Sequence, residues 1–246
     1  MALKRSPSLT EQVKSTLKQR ILNDEFEGGR IPSESDLANE LGVSRTTVRD
    51  ALSRLEQEGV VVRRQGAGTF VNEAGLRIKL RLEEIWSYEG MLEAHGYTPS
   101  TEIVTVTDRP ADADTVAALG LAAGERVRVV TKRFLADGRP VIVAVNHIPL
   151  RYIPAPDGDM DFHLPIYRLL STFCTQHLTY YVSEIVPLQA PPWLTDLLKL
   201  PPHKTTLLSF DEVGYNQDNQ PIIKAQSFFR DDVLRLRLIR RETLVG

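Results

Sequence analysis

Residues 33–49, SESDLANELGVSRTTVR, hold two helix starts separated by a glycine. Ser33 can cap the first helix, because a serine hydroxyl satisfies the free amides of a helix N-terminus. Gly42 and Val43 form a tight turn. Ser44 can then cap a second helix that continues through Leu55. The stretch therefore predicts a helix-turn-helix.

Another helix and a hairpin flank this stretch. Apolar residues recur at every fourth position before it, which is one face of a helix: Leu9, Val13, Leu17 and Ile21. Ser8 with Glu11 has the capping-box spacing, and Gly28-Gly29 ends the helix. After the helix stop at Gly59, residues 60–62 are all valine, residues 65–68 form a glycine-rich turn, and residues 69–71 are Thr-Phe-Val. Two such segments joined by a turn predict a β-hairpin. Three helices and a hairpin predict a winged helix-turn-helix.

The third helix separates into two faces on a helical wheel. Its core-facing stripe is Val48, Ala51, Leu52 and Leu55, and Arg45, Thr46, Arg49 and Ser53 point outward. An outward stripe of Arg and Thr at the start of such a helix is typical of a recognition helix in the major groove. Arg45, Thr46 and Arg49 on the helix and Arg63, Arg64 and Gly66 on the wing are therefore candidate DNA-binding residues.

Residues 1–75 hold as many Asp and Glu as Lys and Arg residues, so they carry no net positive charge. Attraction to phosphate must then come from local placement of cations. We expect Asp50, Glu56 and Glu58 to lie away from a bound duplex.

The rest of the chain alternates short helices and strands. We predict helices near 81–95, 110–119, 164–174 and 191–199. We predict strands near 101–107, 125–135, 140–148, 179–187, 205–215, 221–229 and 233–239. The predicted fold class is α+β. Its parts are a winged helix-turn-helix at 1–74, a linker at 75–80, and a domain with one antiparallel sheet at 81–246.

The second domain contains an internal similarity. Leu119-Gly-Leu121 ends a helix and is followed by a strand, a turn, Arg139-Pro140 and a strand. Leu198-Lys-Leu200 begins the same series, which includes Gln220-Pro221. The match predicts a duplicated helix-plus-hairpin unit, although a chance match stays open. A cleft where the two halves meet would suit a small ligand.

The composition narrows the class of protein. The chain has 246 residues, a formal net charge of -2 and one cysteine. A single cysteine excludes a disulfide framework within the chain and a multi-cysteine zinc site. Residues 1–8 lack the apolar core of a signal peptide, and no stretch has the length of a membrane span. We expect a cytoplasmic protein without a membrane partner.

No residues are assigned to catalysis, to a metal or to a cofactor. The five histidines show no tight metal-ligand spacing. Residues 157–161 imitate the start of an EF-hand loop, but Phe162 replaces the required Gly. Cys174 lies among apolar residues and is expected in the core.

Residues 9–71 resemble the winged-helix domain of GntR-family regulators. The residues that carry this resemblance are 29–38 (GRIPSESDLA), 41–52 (LGVSRTTVRDAL), 55–59 (LEQEG) and 63–71 (RRQGAGTFV). It implies DNA contacts at Arg45, Thr46, Thr47, Arg49 and Gly66, and Ser35, Ser44 and Gln65 complete the set of candidate DNA-binding residues. The family often has an arginine at the position of Ser35, which bears on the operator sequence.

Residues 78–240 resemble the UTRA domain of the HutC subfamily, which has a chorismate-lyase-like fold. The residues that carry it are 118–127 (ALGLAAGERV), 133–141 (RFLADGRPV), 148–149 (IP), 221–223 (PII) and 227–232 (SFFRDD). The resemblance implies a domain that binds a small metabolite, changes the affinity for DNA and forms a homodimer. A symmetric dimer would read a pseudo-palindromic operator.

The pocket positions depart from the pattern of relatives that sense polar ligands. Lys132-Arg133-Phe134 replaces an Arg-x-Arg pair, Ala144 and Ile223 replace acidic residues, and Phe228-Phe229 replaces tyrosines. These changes indicate a less polar pocket that takes a small organic acid with its anionic group paired to Arg133. Candidate effector-binding residues are Arg133, Asn146, His147, Tyr181, Glu184, Phe228 and Arg230. Alternatively, Arg230 forms an ion pair with Asp231 or Asp232 or lies at the dimer interface.

Together these features predict a metabolite-responsive DNA-binding transcription factor, a repressor that binds as a dimer, and not an enzyme. Two alternatives stay open. One is an enzyme that uses the chorismate-lyase-like domain, which turnover of a bound metabolite would reveal. The other is a constitutive DNA-binding protein with a vestigial sensor, whose DNA affinity no ligand would change.

Overall fold

The computed structural model describes residues 8–76, 85, 87–154, 158, 160–203, 205–230 and 232. They fall into two compact units, one before residue 77 and one from residue 85 onward. None of the helices within these residues is long and apolar enough to cross a membrane.

The first unit contains three helices and a small sheet. In chain order its elements are α1 (Leu9–Leu22), β1 (Arg30–Ile31), α2 (Glu34–Leu41), α3 (Arg45–Gln57), β2 (Val61–Arg64), β3 (Gly68–Val71) and α4 (Glu73–Leu76). The strands form an antiparallel sheet in the order β1-β3-β2. The predicted winged helix-turn-helix is confirmed.

The predicted caps are present at all three helices. Ser8, Ser33 and Ser44 each accept a hydrogen bond on Oγ from the backbone amide three residues later, at 3.3, 3.2 and 3.1 Å. Gly42 ends α2 in the left-handed conformation, with φ of +65°, which side-chain-bearing residues rarely adopt. Apolar residues from α1, α2 and α3 and the start of the wing form one buried core: Val13, Leu17, Ile21, Phe26, Ile31, Leu37, Ala38, Val48, Ala51, Leu52, Leu55, Val60 and Val61.

The start of the predicted linker needs a correction. Gly75 and Leu76 belong to the one-turn helix α4, and the remainder of the predicted linker, residues 77–80, lies outside the described residues. A Cβ atom at residue 75 would lie 1.8 Å from the carbonyl oxygen of Gly59. Only glycine permits this contact, so the chain stays packed against the end of α3 through Leu76.

The second unit is a six-stranded antiparallel sheet with helices on both faces. Its elements are α5 (Tyr88–Ala94), β4 (Pro99–Pro110), α6 (Ala113–Leu119), β5 (Arg126–Ala136), β6 (Arg139–Pro149), α7 (Ile166–Phe173), β7 (Leu178–Gln189), α8 (Pro192–Leu198), β8 (Thr206–Asn216) and β9 (Pro221–Phe229). The strand order is β4-β5-β6-β9-β8-β7. The predicted α+β class with one antiparallel sheet is confirmed; the strand predicted at 233–239 and residues 81–84 of the first predicted helix lie outside the described residues.

The strand order agrees with the predicted duplication and enlarges the repeat. Each half consists of an edge strand, a helix and a hairpin, β4-α6-β5-β6 and β7-α8-β8-β9, and the halves meet where β6 pairs with β9. Gly120 and Lys199 follow the two helices in the same left-handed conformation. Each helix packs on the other half, α6 on β9 and α8 on β6. The sequence comparison missed the two edge strands because they share no obvious motif.

Candidate DNA-binding face and ligand cavity

The N-terminal turn of α3 presents the side chains expected of a recognition helix. Arg45, Thr46 and Arg49 are exposed, whereas Val48 on the opposite side is fully buried. The Ser44 hydroxyl contacts the Thr47 hydroxyl at 2.8 Å, so these two side chains also order the helix start. Ser35 is half-buried in the first turn of α2.

Two of the predicted arginines already have an acidic partner. Arg49 Nε lies 3.1 Å from Glu34 Oε2, and a guanidinium nitrogen of Arg63 lies 3.9 Å from Glu34 Oε1. Glu56 also pairs with Arg63, at 3.4 Å. Arg45 forms no ion pair with another described residue. Glu56 therefore competes with phosphate for Arg63, and its placement away from a bound duplex stays a prediction.

The wing presents a different arrangement. The guanidinium of Arg64 lies over the ring of Phe70, 4.7 Å from its centroid, which is cation–π geometry. Gln65 and Gly66 form the exposed tip, and a hydrogen bond of 3.0 Å from the Ala67 amide to the Arg64 carbonyl closes the turn. The stacking fixes Arg64 at the base of the tip and leaves its charge without an acidic partner among the described residues.

A cavity of about 520 Å³ lies in the second unit, on the sheet face that α5 and α7 cover. It is lined by Ile85, Ser87, Tyr88, Glu89, Lys132, Phe134, Ala144, Asn146, Pro165, Ile166, Thr179, Tyr180, Tyr181, Ser183, Phe210, Glu212, Ala225 and Phe229. This volume is within the range of small-molecule sites.

Strand register explains the shape of the cavity. Ala144 on β6 and Ala225 on β9 put small side chains on the two central strands, so they form the floor. Larger side chains on the neighbouring strands form the walls, such as Phe134 on β5 and Phe210 on β8. Asn146 pairs directly with Ala225 and is 4% exposed. The side-chain amide of Asn146 forms no hydrogen bond with the described residues, so it is available to bind a ligand.

Lys132 is the buried cation of the cavity. It is 2% exposed, and its Nζ donates a hydrogen bond of 2.6 Å to the Leu164 carbonyl oxygen. Burial lowers the pKa of Lys132 to about 8, although the nearby charges of Glu89 and Asp161 act in the other direction.

Two carboxylates also line the cavity. Glu212 Oε1 accepts a hydrogen bond of 2.6 Å from the Ser183 hydroxyl, and burial raises the pKa of Glu212. Glu89 Oε1 accepts one of 2.8 Å from the Thr101 hydroxyl. Glu89 Oε2 is buried without a hydrogen-bond partner among the described residues. The cavity thus combines one cation, two acids and aromatic walls.

Of the seven residues that the sequence suggested for the effector site, Asn146 and Tyr181 line this cavity. Burial keeps the pKa of the Tyr181 phenol well above its ordinary value, so Tyr181 is a neutral hydrogen-bonding group. The other five, Arg133, His147, Glu184, Phe228 and Arg230, lie outside the cavity.

The assignment of Arg133 as the anion anchor does not agree with this geometry. Neighbouring residues of a strand point to opposite faces of a sheet. Lys132 therefore faces the cavity, while Arg133 faces α8, with its Nε 2.7 Å from Glu102 Oε2 and another guanidinium nitrogen 3.2 Å from the Leu197 carbonyl.

The same alternation directs His147 and Phe228 away from the cavity. His147 Nε2 lies 3.1 Å from a guanidinium nitrogen of Arg109. Burial and the charge of Arg109 lower the pKa of His147, so the ring is neutral and accepts this hydrogen bond. Phe228 makes an edge-to-face contact with Trp193, at 5.8 Å between ring centroids.

The remaining two candidates are an exposed acid and a buried arginine. Glu184 is exposed on the edge strand β7. Arg230 is 3% exposed, and its guanidinium forms hydrogen bonds of 2.9 and 2.8 Å with the carboxylate of Asp232. This is the ion pair that the sequence offered as an alternative for Arg230.

Sequence reasoning did not single out Lys132, Glu89 or Glu212 as cavity residues. A signal was available at Lys132, because strand alternation puts it on the same face of β5 as Val130 and Phe134. Glu34 was also missed, although it begins α2 and thus lies near the start of α3.

Comparisons with known proteins agree with both units. The gntR family of bacterial regulatory proteins matches residues 9–71, and the UTRA domain matches residues 94–235. The histidine utilization repressor of Pseudomonas putida is 31% identical over 204 residues, which are 82% of this chain and 77% of that protein. The HTH-type transcriptional repressor NagR of Bacillus subtilis is 26% identical over 222 residues, 90% of each chain.

Solved structures share the fold. The possible transcriptional regulator YydK from Bacillus subtilis superposes with a TM-score of 0.75 at 12% identity, over 96% of this chain and all of that one. PhnF from Mycobacterium smegmatis gives a TM-score of 0.59 at 23% identity, over 94% of this chain and all of that one.

A winged helix followed by a domain with a small-molecule cavity is the organisation of a ligand-sensing transcriptional regulator. The chain belongs to the GntR family of bacterial regulatory proteins and carries a UTRA domain.

Proposed function

We propose that this protein is a transcriptional repressor that binds operator DNA through α3 and the wing and changes its DNA affinity when a small metabolite fills the cavity. The names of the relatives, histidine utilization repressor and NagR repressor, support repression. The observation that carries the proposal is the cavity, in which Lys132 and Asn146 are buried and open to a ligand.

The DNA-binding part is supported by exposed groups at two places. Arg45 and Thr46 at the start of α3 have the chemistry to contact base edges, since arginine bonds guanine O6 and N7 together. Arg64 on the wing has the chemistry to contact phosphate. A ligand that prefers one arrangement of the dimer would shift the population toward it and so change operator affinity.

The protein acts as a homodimer in this proposal, and a second copy covers the edge strand β7. Val182, Ile185 and Val186 on this strand are 57%, 48% and 40% exposed, whereas the exposed large apolar side chain of the other edge strand, β4, is Val106 at 36%. An open edge with apolar side chains pairs readily with another chain. Two copies of β7 related by a two-fold axis run antiparallel, as this sheet requires.

We also propose that the cavity binds its ligand without turning it over. The regulators among its relatives support this reading. The ligand should be recovered unchanged, by mass spectrometry, after prolonged incubation with the protein; a new product would favour the enzymatic alternative.

Selection from a random-sequence duplex library tests the repressor proposal without knowledge of the operator. The purified protein should enrich a pseudo-palindromic sequence, and the variant Arg45→Ala should lose preference for it. Fluorescence anisotropy with the enriched duplex then measures whether a metabolite fraction changes the affinity. A duplex affinity that no fraction changes would favour a constitutive DNA-binding protein.

A further inference from the structure

Two charged groups of the cavity lie on separate strands, and a third, Glu89 on α5, is near enough to Lys132 to influence its pKa. Lys132 lies on β5 and Glu212 on β8, and neither has an ion-pair partner among the described residues. Lys132 uses one of its three donors on the Leu164 carbonyl, and Glu212 uses one oxygen on Ser183. Each therefore keeps hydrogen-bonding capacity for a ligand.

The sheet sets the distance between these two groups. Strands β6 and β9 lie between β5 and β8, so three interstrand spacings, about 14 Å, separate the strands that carry Lys132 and Glu212. Lys132 and Glu212 also lie two residues apart along the strand direction, because Lys132 pairs with Ala144 whereas Glu212 pairs with Ala225, the partner of Asn146. Ala144 and Ala225, on the two strands between them, form part of the floor, beside Asn146.

The space between the charges is apolar and aromatic. Phe210 and Phe229 meet edge to face with centroids 5.2 Å apart, and Tyr88 makes similar contacts with Phe134 and Phe229 at 4.9 and 5.6 Å. These rings fix each other's orientation, so they leave a preformed slot over the alanine floor. A flat apolar group fits such walls better than a polyol does.

An unpaired buried charge is costly, and a ligand of complementary charge offsets that cost. From this geometry, and on the basis of the proposed function, we propose that the effector carries an anionic group at one end, bound by Lys132, and a protonated amine or similar cation at the other end, bound by Glu212, joined by an apolar or aromatic middle.

Matched probes test the two ends separately. The first is 4-(aminomethyl)benzoate, which carries both charged groups; benzylamine lacks the carboxylate, and 4-methylbenzoate lacks the amine. A fourth probe, 6-aminohexanoate, keeps both charges on a flexible middle. With the full-length protein, calorimetry should show that a two-ended probe binds about tenfold or more tightly than either one-ended probe.

Substitutions of Glu212 and Lys132 test which side chain binds each end of the probe. Glu212→Gln should reduce the advantage of the two-ended probe over 4-methylbenzoate, and Lys132→Met should reduce its advantage over benzylamine. Glu93→Gln removes an exposed carboxylate from α5 and should bind all probes as the parent does. Lys132→Gln is a second replacement should the methionine variant fail to fold, and the melting temperature without ligand reports on folding.

Three results would overturn the inference: equal binding of one-ended and two-ended probes, unchanged preference in both variants, or no binding of either two-ended probe at millimolar concentration. Operator binding by the same preparations separates this failure from failure of the proposed function. If a metabolite fraction still releases the parent protein from DNA, the proposed repressor function is retained. Only the proposal that the ligand carries opposite charges at its two ends is then excluded.

Discussion

Lys132 and Arg133 are neighbours on β5 but lie on opposite faces of the six-stranded sheet. Lys132 lines the cavity beneath α7, and Arg133 pairs with Glu102 on the far side. A ligand in the cavity can therefore contact Lys132 but not Arg133.

This relationship predicts unequal effects of matched substitutions. Arg133→Met should keep the effector-dependent change in DNA affinity and lower the free energy of unfolding by about 1 kcal/mol or less, because its ion pair is partly exposed. Lys132→Met should abolish the response to an anionic effector. Anisotropy titrations of both variants with effector check this; loss of the response in the Arg133 variant would return that residue to the ligand site.

Glu34 is expected to restrain DNA binding. It holds Arg49 and lies near Arg63, so it competes with phosphate for both cations. Glu34→Gln should raise the affinity for random-sequence duplex several-fold and steepen the salt dependence. Glu40→Gln on the same helix is the matched control, since Glu40 pairs with Arg20 instead. Equal effects of both substitutions would mean that only net charge matters.

Arg64→Ala should weaken binding to all duplexes alike, because a phosphate contact carries no sequence information. The slope of log affinity against log salt should fall by about one. Arg54→Ala, which removes an exposed arginine that pairs with Glu11, should leave the slope unchanged. A slope that stays at the parental value in Arg64→Ala would place this side chain away from phosphate.

The ion pairs of Glu58 with Lys14 and Lys18 are expected to stabilise the fold in a pH-dependent way. Burial raises the pKa of Glu58, but hydrogen bonds from Lys18 and Lys14 outweigh burial, and the net pKa lies below the ordinary value of 4.5. A depressed folded-state pKa stabilises the protein well above pH 4.5, and this contribution is lost as the pH falls through the folded-state value. Glu58→Gln should therefore cost on the order of 1 kcal/mol at neutral pH and little in acid. Denaturant unfolding at several pH values tests this, and a cost that persists at low pH would contradict it.

The proposed dimer edge predicts that Val182→Glu lowers the dimer fraction in sedimentation equilibrium, because a carboxylate would be buried between two copies of β7. Val106→Glu, on the opposite edge of the sheet, should leave the fraction unchanged. The reverse outcome would move the interface to β4.

Local signals in the sequence were sufficient for the first unit. The serine caps, Gly42 and the apolar spacing in α3 each determine local backbone structure, and all are found as predicted. The duplicated hairpins of the second unit were predictable for the same reason, since a left-handed residue, a turn and a proline recur in order.

It was harder to predict which side of the sheet each strand residue faces. In β6, nearly every residue from Pro140 to Pro149 is buried, because the sheet is covered on both sides. Without an alternation of polar and apolar residues, the sequence does not show which side faces the cavity. The family pattern favours Arg133 over Lys132, and only the register between β5 and its neighbours distinguishes the two.

The join between the two halves of the sheet has a mechanical consequence. β6 and β9 share six paired residues, from Ile142 with Phe229 to His147 with Lys224, fewer than any other neighbouring pair in this sheet. The centre of the sheet, which forms the cavity floor, is therefore joined by the fewest residue pairs. A ligand bound by β5 on one side and by β8 on the other would span this join. The length of the ligand would then influence the twist angle between the β5-β6 and β8-β9 hairpins.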